Sequence, residues 1–222
     1  TLLDDEKAKV DIWHYQDGRV QPEQLRRVKQ DQNKGYKAVY HIESGKFVQL
    51  ANEEMNSVRT YNFNNAHFGL GSNNDQWEVE RSWMFPWRSD YYHVNINTGK
   101  KELIKEGVFM QRGISPSGEY FVWYNPEDSM WMSTNLLSKK DVAMNAEIDA
   151  NFASDNNGQP SLAYPEGAAG WTKFNDQEFY SAYSQDGSIY LLSPRKPAES
   201  FKALGSDQGT HKSEQLRIWR TE

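Results

Sequence analysis

The sequence predicts an all-β chain assembled from repeated four-stranded antiparallel units. Three observations predict it. A strand, a polar turn with glycine and a second strand recur along the chain. An aromatic mark recurs in each copy, at Tyr40, Tyr92, Trp131 and Tyr190, with separations of 52, 39 and 59 residues. Aromatics make up 14% of the chain, with 8 Trp and 12 Tyr, and such flat side chains pack well on a pleated surface. The separations bracket the roughly 40 to 50 residues of one blade, so the predicted class is a partial β-propeller of about four blades.

The units follow in order. The first covers approximately 1–55. It holds the one segment that reads helical, Gln21 to Val28, where Pro22 sits at a helix start and strong helix formers follow. It also holds the clearest repeat, AVYHIESGKFVQL at 38–50. The second unit covers 56–107, with a loose Asn-rich turn at 64–71 and the second repeat, YYHVNINTGKKEL, at 91–103. In the third, 108–145, Ser115-Pro116-Ser117-Gly118 is a tight turn into the apolar strand 119–124, and a weaker repeat starts at Ser129. Residues 146–164 read as a long loop, because from Asn151 on the chain is rich in Asn, Asp, Gly, Ser and Pro. The fourth unit covers 165–210, with a turn at 174–177, a strand at 178–183 and a last repeat at 188–192. Residues 211–222 start a further blade, with a strand at 216–220. Both ends read as cut inside a longer array, the chain starting at Thr1 rather than Met.

Composition removes several function classes. There is no cysteine, which excludes a disulfide framework, a thiol nucleophile and a thiolate metal site. No run approaches the roughly 18 to 20 apolar residues of a membrane helix. Net charge is −6 and the acids are spread along the chain. No basic stripe could follow a phosphate backbone, so no nucleic-acid partner is expected. Arg26, Arg27 and Lys29 form the densest basic patch, which reads as a solvated helix face.

Tested for chemistry, the chain shows no complete active site. Gly113-Ile114-Ser115-Pro116-Ser117 is the nearest string to a Gly-x-Ser-x-Gly elbow. Proline after the serine removes a backbone N–H that the oxyanion hole needs, so the string reads as a turn. His14, His41 and His93 each follow an aromatic, Trp13, Tyr40 and Tyr92. These three read as a shared repeat consensus on separate strands rather than a metal cluster. No cofactor or metal is expected. Asp75, Glu78, Glu80, Asp149 and Asp155 are the carboxylates that could face one another in a propeller glycosidase, with Glu78 and Glu80 on one face of a strand. Solvated edges and turns are the competing reading. The best contact candidate is the run Trp83-Met84-Phe85-Pro86-Trp87-Arg88. Trp83, Phe85, Trp87, Arg88, Glu78 and Glu80 are therefore the candidate peptide or domain contact, with core packing between blades as its rival.

Several segments carry a resemblance. Residues 10–17, VDIWHYQD, with Leu25 and Phe47-Val48-Gln49-Leu50-Ala51, are similar to the N-terminal propeller of large prolyl oligopeptidase-like serine peptidases of the S9 class. Gly167-Ala168-Ala169-Gly170-Trp171-Thr172-Lys173 looks like the segment that opens a blade in the same proteins. Gln185-Asp186-Gly187-Ser188-Ile189-Tyr190 departs from the Asp-Ile-Trp-like outer strand of that family and is a generic blade. The resemblance implies a periplasmic or extracellular peptidase whose propeller gates peptides toward an α/β-hydrolase domain that this chain does not contain. The alternatives are a stand-alone propeller binding or scaffold module, and the carboxylate glycosidase. Open blade edges also predict self-association.

Overall fold

The structure, a computed structural model, describes residues 14–61, 67–154, 164–165 and 167–204. Within them the chain is mostly β, with one α-helix. That helix, α1, spans Gln21–Gln32. Pro22 lies in its first turn, where a missing N–H removes no helical bond. Glu23 in the first turn and Lys29 in the last both suit the helix dipole. The helix runs four residues beyond the expected Val28, and none of its residues is buried.

A hairpin follows, made of β1 (Ala38–His41) and β2 (Lys46–Gln49). Gly45 supplies the positive φ its turn needs, at 66°. The first meander then comprises β3 (Ser57–Thr60), β4 (Phe68–Asn73), β5 (Ser89–Asn95) and β6 (Lys101–Val108). The second comprises β7 (Met110–Ile114), β8 (Tyr120–Asn125), β9 (Met130–Asn135) and β10 (Asp141–Ala143). A short pair, β11 (Ala153–Ser154) and β12 (Tyr164–Pro165), precedes the third. The third meander comprises β13 (Gly167–Phe174), β14 (Gln177–Tyr183), β15 (Ile189–Leu192) and β16 (Phe201–Leu204). In every meander each strand pairs antiparallel with its neighbour in sequence.

Three of the four aromatic marks find equivalent places. Tyr92, Trp131 and Tyr190 sit on β5, β9 and β15, the third strand of each meander, and Tyr40 sits on β1. Two of the expected turns are present, while of the one expected at 64–71, residues 68–71 belong to β4 and 64–66 lie outside the described residues. Asn175 and Asp176 both hold positive φ, 48° and 60°, as a two-residue hairpin between β13 and β14 requires. The Ser115 hydroxyl, fully buried, accepts from the N–H groups of Glu119 and Tyr120 and closes the turn into β8. Two expectations need correction. The interval 146–164 is not wholly loop, since β11 lies in it and pairs with β12 at its end. His14 lies in an exposed, non-strand segment, so it shares no strand geometry with His41 and His93. The strand expected at 216–220, and residues 10–13 of the 10–17 match, lie outside the described residues.

The units pack face to face in sequence order. Successive side chains on a strand point to opposite faces, and these strands are apolar on both. On β8, Phe121 packs with Leu70, Ile104 and Ile114 between the first and second meanders. Its neighbours Val122 and Tyr124 pack with Trp131, Tyr180 and Leu192 between the second and third. On β5, Tyr91 belongs to the first of these layers. Val94 faces the other way and packs with Val48, Leu50 and Met55 beside the β1–β2 hairpin. Polar ties reinforce the layers. The Ser133 hydroxyl donates to the Pro194 carbonyl at 2.6 Å, and the Ser200 hydroxyl to that of Met144 at 2.7 Å. Among the described residues no helix is long and apolar enough to cross a membrane.

Candidate functional site

The candidate contact residues all lie in one insertion, residues 74–88, between β4 and β5. The sequence reading placed Glu78 and Glu80 on one face of a strand. The chain instead makes two 3-10 turns, Asp75–Trp77 and Val79–Ser82. The first of these turns is tied to a buried carboxylate on the next strand. Asp90, only 5% exposed, accepts hydrogen bonds from Trp77 Nε1 at 2.9 Å, from the Gly107 N–H at 2.8 Å and from the Gln76 side chain. These bonds pull the start of the insertion back onto β5 and β6. Gly107 is needed there. It holds φ 63°, and a Cβ would lie 3.0 Å from Trp77 Cζ2.

Asp90 was missed in the sequence. Its signal is an aspartate inside an aromatic strand, where that residue type is depleted, so a buried acceptor role was the reason to look for.

The two glutamates do not share a strand face, and each is engaged by arginine. Glu78 pairs with Arg19, which reaches over from the segment before α1, and with Arg81 at 3.5 Å. Glu80 lies 3.6 Å from Arg88. Arg88 itself is held between two rings, 5.1 Å from the centre of Trp77 and 4.6 Å from that of Phe109. These three groups therefore brace the insertion.

The aromatics behave differently. Trp83 is 65% exposed, and Phe85 and Trp87 are also exposed. Phe85 and Trp87 meet edge to face at 5.9 Å, and the Arg81 guanidinium lies 4.2 Å over the Trp87 ring. Trp83, Trp87 and Arg81 form one wall of a groove of about 630 Å³ whose other wall is the start of α1, with Arg26 and Arg27.

The remaining candidates do not converge on it. Asp75 accepts from the Asn56 amide at 3.0 Å and Asp149 is exposed beyond β10, while Asp155 lies outside the described residues. His41 meets the Ile96 carbonyl at 3.4 Å, and His93 stacks on Phe68 with ring centres 5.7 Å apart. Among the described residues no group of three or more His, Cys, Asp or Glu side chains is placed to hold a metal ion.

The chain matches no model of a known protein family and no curated protein.

Proposed function

We propose that this chain is a run of propeller blades acting as the non-catalytic, access-restricting module of a prolyl oligopeptidase-like serine peptidase. The observation that carries the reading is the serial stack. Three consecutive four-stranded meanders pack face to face in sequence order, and the repeated aromatic occupies the third strand of each. That is the layer arrangement a propeller uses. The peptidase half of the proposal rests on the resemblance of the segments at 10–17, 47–51 and 167–173. In this reading the blades line a passage narrow enough for flexible peptides and too narrow for folded proteins. Chemistry would belong to a separate hydrolase domain, consistent with Ser115 serving as a turn residue.

The test compares this chain with the full-length product of its gene. A serine-reactive fluorophosphonate should label the full-length product and leave this chain unlabelled and without peptidase turnover. Hydrolysis by this chain alone, or a full-length product that resists labelling, rejects the proposal. A stand-alone binding module is the second reading, and the exposed aromatic groove is the observation that favours it.

A further inference from the structure

Two patches distant in sequence become opposite walls of one groove. The basic run of α1 is solvent-facing, with none of its residues buried, and two of its members, Arg26 and Arg27, also line the groove beside the aromatic insertion. In a chain of net charge −6, the groove is lined by four arginines, Arg19, Arg26, Arg27 and Arg81, and by two carboxylates, Asp17 and Glu23.

The arginines are unequally committed. Arg19 is engaged by Glu78 and by Asp31 at 2.9 Å. Arg27 has one long contact, to Glu23 at 3.4 Å. Arg81 reaches Glu78 only at 3.5 Å. Arg26 has no ion pair among the described residues. A guanidinium carries five N–H donors in a fixed fork, so Arg26 and Arg27 keep most of theirs for a ligand. Asp17 is already occupied, accepting from the His14 N–H at 3.3 Å and the Gln24 amide at 3.4 Å. Trp83, on the wall it shares with Arg81, is mostly exposed and without a ring partner among the described residues.

We propose that this groove binds acidic peptide segments carrying a bulky apolar residue. The peptide carboxylates pair with Arg26 and Arg27, and the apolar side chain packs against Trp83. Arginine and tryptophan are the residue types that dominate such contacts. A nucleic-acid strand fits less well. Its phosphates need many free cations along a track, and here two carboxylates interrupt the lining. The inference does not depend on the peptidase reading: a full-length product that resists fluorophosphonate would remove that reading and leave the groove intact.

The test is fluorescence anisotropy on the 222-residue chain with a labelled peptide of sequence Asp-Glu-Phe-Asp-Glu. Two controls are a version with lysine at each acidic position and a version with glycine for phenylalanine. The acidic peptide should bind and both controls should bind about tenfold more weakly or not at all. Arg26→Glu should weaken the acidic peptide about tenfold and favour the lysine version. Trp83→Ala should also weaken it about tenfold. Both side chains are exposed, so both variants should keep the wild-type urea midpoint. The proposal is overturned if the acidic peptide does not bind, if the lysine version binds equally well, or if neither variant changes affinity. Displacement of the peptide by a single-stranded oligonucleotide that itself requires Trp83 would also overturn it, in favour of a nucleic-acid groove.

Discussion

Replacing Trp131 by alanine should cost about 3 to 5 kcal/mol, while the same change at Tyr40 should cost less than about 0.5 kcal/mol. The two residues carry the same mark in the repeat. Their surroundings differ. Trp131 is fully buried between the second and third meanders, with ring centres 5.2 Å from Tyr124 and 5.1 Å from Tyr180. A tryptophan buries about 150–250 Å². At about 25 cal/mol per Å² that is roughly 4 to 6 kcal/mol as an upper bound, in line with measured large-to-small costs. Tyr40 is 62% exposed on the outer face of the β1–β2 hairpin, opposite Phe47. The assay is urea unfolding followed by circular dichroism. With m near 2 to 3 kcal/mol/M, the Trp131→Ala midpoint should fall by about 1 to 2.5 M. Trp131→Phe should recover much of the loss, because the indole N–H has no hydrogen-bond partner among the described residues. If Trp131→Ala shifts stability by under about 1 kcal/mol, or Tyr40→Ala costs as much, the face-to-face stack is wrong.

Two further outcomes follow from buried polar groups. Asp90→Ala strands the Trp77, Gln76 and Gly107 donors and should cost about 2 to 4 kcal/mol, with a shifted Trp77 indole N–H resonance; an unchanged midpoint refutes the anchoring role. Burial, with a smaller contribution from Lys139, holds the His93 pKa below its ordinary 6.5, against the pull of Glu102. The folded state therefore favours neutral His93, and its contribution is complete above the unfolded pKa and is lost as pH falls from there through the lowered folded value. Stability should decline on the acid side of about pH 6.5 more steeply in the wild type than in His93→Gln, and equal slopes would remove the assignment.

Much of the local structure was legible because its causes are local. Asn175-Asp176 marks a two-residue hairpin through backbone conformation alone, and Pro22 marks a helix start through its missing N–H. The Ser115 turn follows from a serine hydroxyl satisfying the N–H groups just after it. The misreadings came where a distant partner decided. Glu78 and Glu80 read as one face of a strand, yet the chain there makes two 3-10 turns, with Gln76 and Trp77 bonded to Asp90. Ala153–Ser154 reads as loop, and its strand exists only through Tyr164–Pro165.

By itself, then, the sequence determined an all-β chain of repeated antiparallel hairpins, with one helix near its start and no cysteine chemistry. Period-two patterning, turn residues and composition act over a few residues and need no partner. Tertiary structure alone decided which copy of the aromatic mark is core and which is surface, since burial depends on the sheet that packs above. It also decided what the charged and aromatic runs do. Glu78, Glu80 and Arg88 became braces, while Arg26 and Trp83, 57 positions apart, came to line one groove. A groove between two segments belongs to neither segment's sequence.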